Sequence, residues 1–139
     1  MNRLSLSRRT QVINCLVEGN SIRSTERLTD THRDTIMRLM VQVGQGCAVL
    51  MDAEMRDLPC KRIQVDEIWS FVGKKQRRVT RTDNRQRVGD MWTFVALDAD
   101  TKLVPAYRVG KRTLHEATAF MTDLSGRLTN RVQLSSDAL

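Results

Sequence analysis

Apolar positions in the first half of the chain recur at helical spacing and predict three short helices. Ser5 or Ser7 is placed to cap the first helix, and Ser21 to cap the second. The third begins near residue 32; Gly44 and Gly46 weaken it, but apolar residues indicate that it resumes towards residue 55. The residues expected to face the core of this bundle are Val12, Ile13, Leu16, Val17, Ile22, Leu28, Ile36, Leu39, Met40 and Val43.

The second half of the chain changes to segments typical of strands. A single helix interrupts them, and Thr113 and Glu116 have the spacing of a capping box at its start. Pro105 suits an edge strand or a bulge. The order β-β-β-α-β predicts a mixed sheet with helices packed on its faces. Strands are predicted over residues 62–72, 91–97, 103–109 and 132–136, and the helix over residues 113–128.

Composition divides the chain at the same place. All six aromatic residues follow residue 68, so the first half must build its core from aliphatic side chains. Pro59 disfavours helix at the residue before it, which suits a boundary. We therefore predict an α+β/α/β mixed protein, with a helical region over residues 1–57 and a second domain over residues 58–139.

The charge is concentrated in one segment. The chain carries a formal net charge of +7, and the run from Lys74 to Val88 contains seven basic residues against one acid. A solvated loop explains such a run, but so does a loop that contacts nucleic-acid phosphates. The residues predicted to make such contacts are Lys74, Lys75, Arg77, Arg78 and Arg81.

Other features exclude some classes of protein. No apolar run approaches the length of a membrane span, and the basic N-terminus lacks the apolar segment of a signal peptide. The three scattered cysteines, Cys15, Cys47 and Cys60, fit reduced thiols better than a disulfide frame or a zinc site. We therefore expect a cytoplasmic, nucleoid-associated protein without a membrane partner.

The second and third helices, joined by a tight turn, predict a helix-turn-helix DNA-binding module. A small three-helix bundle with a polar face is the alternative. Asp30 stands where such turns often have glycine, which argues against the module. The residues expected to reach base edges and phosphates from the start of the third helix are His32, Arg33, Asp34 and Arg38.

Two carboxylates suggest a metal site in the second half. Asp66 interrupts an otherwise strand-like segment, and Asp137 follows the last predicted strand. If these strands are parallel neighbours, the two acids converge at one edge of the sheet, where Mg²⁺ or Mn²⁺ would bind oxygen ligands. A structural acid bound to backbone or to an arginine is the alternative for Asp66. Glu67, the next residue, should face the other side of the strand, in solvent or beside a basic partner.

Several stretches of the sequence resemble the IS-one family of bacterial insertion-sequence transposases, over essentially the whole chain in one order. They include "VINCLVEGNSIRSTERLT", "LPCKRIQVDEIWSFVGKK", "ALDADTKLVPAYRVG" and "FMTDLSGRLTNRVQLSSD". The resemblance implies an N-terminal DNA-binding region and a ribonuclease-H-like catalytic domain with an Asp-Asp-Glu metal site. By this resemblance Asp66 matches the first acid and Asp137 the second, with Mg²⁺ or Mn²⁺ as cofactor.

The sequence also departs from this family. The family's third acid lies on a later helix, and no residue up to Leu139 matches it. Ala138 stands where the family tends to have glycine after the second acid. We therefore expect a C-terminally truncated, catalytically incomplete transposase that binds transposon ends and target DNA, with its oligomeric state open. A non-enzymatic repressor or competitor of transposition and an inactive remnant are the alternative hypotheses.

Overall fold

The computed structural model describes residues 4–137, which form two compact units that divide between Asp52 and Ala53. The division falls a few residues before the predicted boundary at residue 57. The first unit is built from helices α1 (Leu6–Val17), α2 (Ile22–Thr29) and α3 (Arg33–Glu54), the last of which continues just past the division.

Serine side chains begin the first two helices as predicted. The Ser5 hydroxyl accepts a hydrogen bond from the backbone N–H of Arg8 at 3.2 Å, and the Ser21 hydroxyl accepts one from Ser24 at 3.1 Å. Asp30 ends α2 in the left-handed conformation, with φ of 48°. A residue in this conformation turns the chain sharply, so the tight turn between α2 and α3 forms without glycine.

The core of the helical unit is smaller than the sequence predicts. Val12, Ile36 and Leu39 are buried, and Ile13, Leu16, Ile22 and Val43 pack around them. The inward assignments of Val17, Leu28 and Met40 are wrong, because these side chains are 74%, 60% and 43% exposed. On α2 the fully buried positions are instead two threonines, Thr25 and Thr29.

The reason for the error on α2 is helical geometry. Ile22, Thr25 and Thr29 follow the spacing of one helix face, and Leu28 lies about 100° around the helix from Thr29. The Thr29 hydroxyl donates to the carbonyl of Thr25 at 2.8 Å, which satisfies it inside the unit. Helix α3 passes through Gly44 and Gly46 without a break.

The second unit contains a four-stranded mixed sheet in the order β3-β2-β1-β4. Its elements are β1 (Arg62–Val72), β2 (Gly89–Asp98), β3 (Ala106–Gly110), helix α4 (Leu114–Ser125) and β4 (Gln133–Ser136). Strand β1 pairs antiparallel with β2 and parallel with β4, while β3 is an edge strand paired antiparallel with β2. The predicted element order is therefore present, and the first strand has the predicted bounds.

Helix α4 packs on one face of this sheet. Its Phe120 and Leu124 are buried against Ile63, Phe94 and Ala96, and the rings of Phe94 and Phe120 lie 5.9 Å apart. Met121, which follows Phe120 on the helix, is 37% exposed. Large side chains on the opposite face remain exposed: Ile68 is 58%, Tyr107 46% and Val109 57% exposed.

Candidate metal and nucleic-acid sites

The parallel pairing of β1 with β4 brings the two predicted carboxylates side by side. Val65 is opposite Ser136 in the last register pair, so the next position along the same register places Asp66 opposite Asp137. Parallel register partners point to the same face of a sheet. Both side chains are exposed and form no ion pair within residues 4–137.

The surroundings of these acids are accessible and combine polar with apolar side chains. One oxygen of Asp66, Oδ1, accepts a hydrogen bond from the backbone N–H of Glu67 at 2.7 Å. Asp66 and Asp137 together line two clefts, of about 390 Å³ and about 370 Å³. The smaller cleft is also lined by Gln64 and Ser135, which are register partners of each other.

This donor set fits part of a divalent-metal site. Carboxylate oxygens suit Mg²⁺ and Mn²⁺, and these ions keep several water ligands when a protein supplies few. Within residues 4–137, however, no group of three or more His, Cys, Asp or Glu side chains is placed to hold a metal ion.

Glu67 lies on the other face of β1, as predicted. Its Oε2 is 2.8 Å from Nε of Arg112, and the guanidinium of Arg112 lies 5.0 Å from the centre of the Trp92 ring. The Glu67 carboxylate is therefore paired with an arginine that lies over a ring of the sheet. Sequence reasoning missed Arg112, because no local pattern connects it with a residue 45 positions earlier.

Two other acids of the second unit have structural partners. Asp98 is almost fully buried in the β2–β3 turn, where a hydrogen bond from the Thr101 hydroxyl is the main cause that lowers its pKa. The Thr113 hydroxyl caps α4 by accepting from the backbone N–H of Glu116. The carboxylate of Glu116 binds Arg108 instead of completing the capping box, and this hydrogen bond lowers the pKa of Glu116.

The loop between β1 and β2 holds the basic run. Lys74 is bound to Asp83 at 2.8 Å, and this contact, with hydrogen bonds from Thr80, holds the pKa of Asp83 well below its usual range. Lys75 places its ammonium 5.5 Å from the centre of the Trp69 ring. The arginines of this loop are exposed and form no ion pair within the described part of the chain: Arg77, Arg78, Arg81, Arg85 and Arg87.

The predicted DNA-reading residues are all exposed at the start of α3. Asp34 lies 3.7 Å from both His32 and Arg33, and Nε of Arg38 donates to the Asp34 carbonyl at 3.2 Å. The backbone N–H of Arg33 donates to the Glu26 carboxylate of α2 at 2.9 Å, which fixes the turn against the helix start.

A shallow groove follows these residues along α3. Asp34 and Arg38 line it together with two apolar side chains, Met37 and Val41, which are 43% and 61% exposed. Apolar side chains at such positions can contact the methyl group of thymine in a major groove. Sequence reasoning missed both, since exposed and buried apolar residues look alike in a sequence.

No family model matches the chain, and no curated protein matches it. Among solved structures, a chain of the Mos1 strand transfer complex aligns with all of this chain at a TM-score of 0.37 and 14% identity. This chain spans 54% of the length of that one, and the likeness is too low to assign a function.

Within residues 4–137, no helix is both long enough and apolar enough to cross a bilayer.

Proposed function

We propose that this chain is a transposase-like DNA-binding protein whose second unit carries the first two carboxylates of a divalent-metal site. The observation that supports the proposal is the parallel register of β1 and β4, in which Val65 is opposite Ser136, one position before each of the two acids. The resemblance to IS-one transposases supports the same two residues. In this proposal Mg²⁺ or Mn²⁺ is the cofactor and DNA the substrate.

Each acid has a defined role in this proposal. Asp66 and Asp137 hold the metal ion, while Glu67 remains paired with Arg112 and takes no part. When bound, a divalent ion would stabilise negative charge on a phosphate oxygen during strand cleavage. The arginines of the β1–β2 loop bind phosphates of the DNA backbone, because their charges have no carboxylate partner within residues 4–137.

The first unit is proposed to recognise transposon ends as a helix-turn-helix module. Arg33 and Arg38 are exposed at the beginning of α3, where a recognition helix contacts base edges. A bidentate contact from arginine to guanine discriminates against the wrong base by about 1–3 kcal/mol. Arg33 is therefore expected to contribute sequence preference, and the loop arginines sequence-independent affinity.

Metal titration tests the carboxylate pair. We expect calorimetry to show millimolar binding of Mn²⁺ to the full chain, lost in Asp66→Asn and in Asp137→Asn. Asp57→Asn is a matched control, because Asp57 is exposed in the left-handed conformation that asparagine tolerates. Unchanged Mn²⁺ binding in both site variants would refute the proposed metal site.

Cleavage is tested separately. With two carboxylates instead of three, we expect the purified chain to leave supercoiled DNA uncut in Mg²⁺. Magnesium-dependent nicking that Asp66→Ala abolishes would show that the chain is a complete nuclease.

The second candidate is a non-enzymatic DNA-binding protein that competes for transposon ends. The exposed residues of α3 favour it, because they do not depend on the carboxylates. It predicts that Asp66→Ala leaves DNA binding unchanged, whereas Arg33→Ala reduces the preference for DNA flanking the coding frame over shuffled duplex DNA. Arg23→Ala, on α2, is the control and should lower affinity for both duplexes equally or not at all. A mobility-shift assay without any preference at physiological salt would exclude end-specific binding.

A further inference from the structure

Three aromatic residues form a continuous strip on the α4-bearing face of the sheet, near the loop end of the β1–β2 hairpin. Phe71 and Trp69 alternate along β1, and their ring centres lie 5.9 Å apart. Trp69 is the register partner of Trp92 on β2, so these two residues are cross-strand neighbours on one face. We name Phe71, Trp69 and Trp92 the aromatic strip.

Trp92 packs against the core of the second unit, but core packing does not explain Trp69 and Phe71. The aromatic core on this face consists of Phe94 against Phe120 of α4. Trp69 and Phe71 lie beyond it and are 43% and 45% exposed. An exposed cluster of large aromatic side chains is a characteristic of binding surfaces.

Two cations lie over the tryptophan rings of the strip. The Lys75 ammonium lies 5.5 Å from the Trp69 ring centre, and the Arg112 guanidinium lies 5.0 Å from the Trp92 ring centre. The loop next to Lys75 adds five exposed arginines without an ion pair within residues 4–137. Because Arg112 is paired with Glu67, the positive charge open to a ligand lies on the loop side of the strip, and a complementary ligand offers flat rings next to negative charge.

An unpaired nucleic-acid strand has this chemistry. Its bases expose their ring faces to aromatic side chains, and its phosphates follow a basic surface. A duplex offers the negative charge of its phosphates but not the exposed ring faces, because its bases are stacked on one another. The surface thus favours unpaired nucleotides over a double helix.

The strip also leads to the candidate metal site. Trp92 and Arg112 line the cleft of about 390 Å³ that Asp66 and Asp137 line as well. A strand held on the strip can therefore extend towards the two carboxylates through one continuous cleft.

We propose that the aromatic strip is a stacking platform for unpaired nucleotides of a DNA strand, with the loop arginines on its phosphates. This inference rests on the proposed function, since it takes DNA as the ligand and adds that the strand is unpaired where it meets β1.

Fluorescence of the full chain tests the platform. The chain has two tryptophans, so Trp92→Phe leaves Trp69 as the only reporter. We expect a twelve-residue oligothymidylate, roughly one site size for such surfaces, to quench Trp69 and to bind more tightly than a duplex of equal charge. Anisotropy of a labelled oligothymidylate with the unaltered chain measures the same affinity without any substitution.

Paired variants separate stacking from charge. Trp69→Leu should weaken oligothymidylate binding about tenfold without changing its salt dependence. Arg77→Gln with Arg78→Gln should reduce the slope of log affinity against log salt by about 1.4 for a single strand. Ile68→Ala, on the opposite face and 58% exposed, is the control and should change neither quantity.

The outcomes distinguish the two proposals. If duplex DNA binds but oligothymidylate binds no more tightly and Trp69→Leu has no effect, the platform is wrong and the DNA-binding function stands. If neither nucleic acid binds, both proposals fail. Concentration-dependent self-association in sedimentation that Trp69→Leu abolishes would assign the strip to a second copy of the chain and overturn the platform.

Discussion

The pairing of Asp66 with Asp137 makes an unusual prediction: removing a charge from the candidate site should stabilise the protein. Neighbouring strands lie about 4.8 Å apart, so two carboxylates at adjacent register positions stand roughly 5 Å from each other. Because both side chains are exposed, the dielectric constant of water applies, and their repulsion is about 0.8 kcal/mol.

Asp66→Asn removes this repulsion and retains an oxygen that can accept the backbone N–H of Glu67. Without divalent ions, we expect the thermal midpoint of the second unit to rise by about 3–6 °C. With 10 mM Mg²⁺ the unsubstituted chain should instead have the higher thermal midpoint. Binding of Mg²⁺ with a dissociation constant of about 1 mM would stabilise it by about 1.4 kcal/mol.

Tryptophan fluorescence is the suitable probe, because both tryptophans belong to the second unit. Asp57→Asn, which removes a charge elsewhere on this unit, should leave the thermal midpoint unchanged both without and with Mg²⁺. A lower midpoint for Asp66→Asn without divalent ions would identify Asp66 as a structural acid. An equal response of both chains to Mg²⁺ would show that the pair does not bind the ion.

Three further predictions concern stability. Ile63→Ala should cost about 2–5 kcal/mol in urea unfolding followed by tryptophan fluorescence, because Ile63 is fully buried, whereas Ile68→Ala should be nearly neutral. Arg108→Gln should destabilise the chain near pH 7, because Arg108 lowers the pKa of Glu116 and thereby stabilises the folded chain when glutamate is ionised. This stabilisation is fully present above the ordinary glutamate pKa and is lost as the pH falls through the lowered pKa of Glu116, so the substitution should have no effect below that pH. A difference that persists at pH 2 would contradict this linkage. Asp30→Gly should raise the free energy of unfolding of the helical unit by about 1 kcal/mol, measured by circular dichroism, since Asp30 occupies the left-handed conformation; a loss would show that the Asp30 side chain stabilises the turn.

The sequence predicts the elements of this protein well where a local signal exists. Ser5 and Ser21 cap helices because their hydroxyls satisfy backbone N–H groups a few residues away. The strand from Arg62 to Val72 follows from β-forming residues within a single segment. These interactions span only a few positions, so the sequence alone contains all the information they need.

Burial was harder to predict, because it depends on what packs against each element. The sequence cannot distinguish the exposed Leu28 from the buried Thr25, which lie on the same short helix. Their exposure depends on how α2 is rotated against its neighbours within the helical unit. Hydrophobicity therefore identified candidates for the core but not its members.

The candidate site divides in the same way. From the sequence, Asp66 is a costly charge in a strand, the predicted strands suggest Asp137 as its partner, and the family resemblance supports both residues. Tertiary structure decided that β1 and β4 pair in parallel, and in the register that sets these acids side by side. It also paired Glu67 with Arg112 and placed Trp69 opposite Trp92 in the sheet. In both pairs the two residues are more than twenty positions apart in the sequence. Such contacts depend on the folding of the sheet, and no pattern within one segment encodes them.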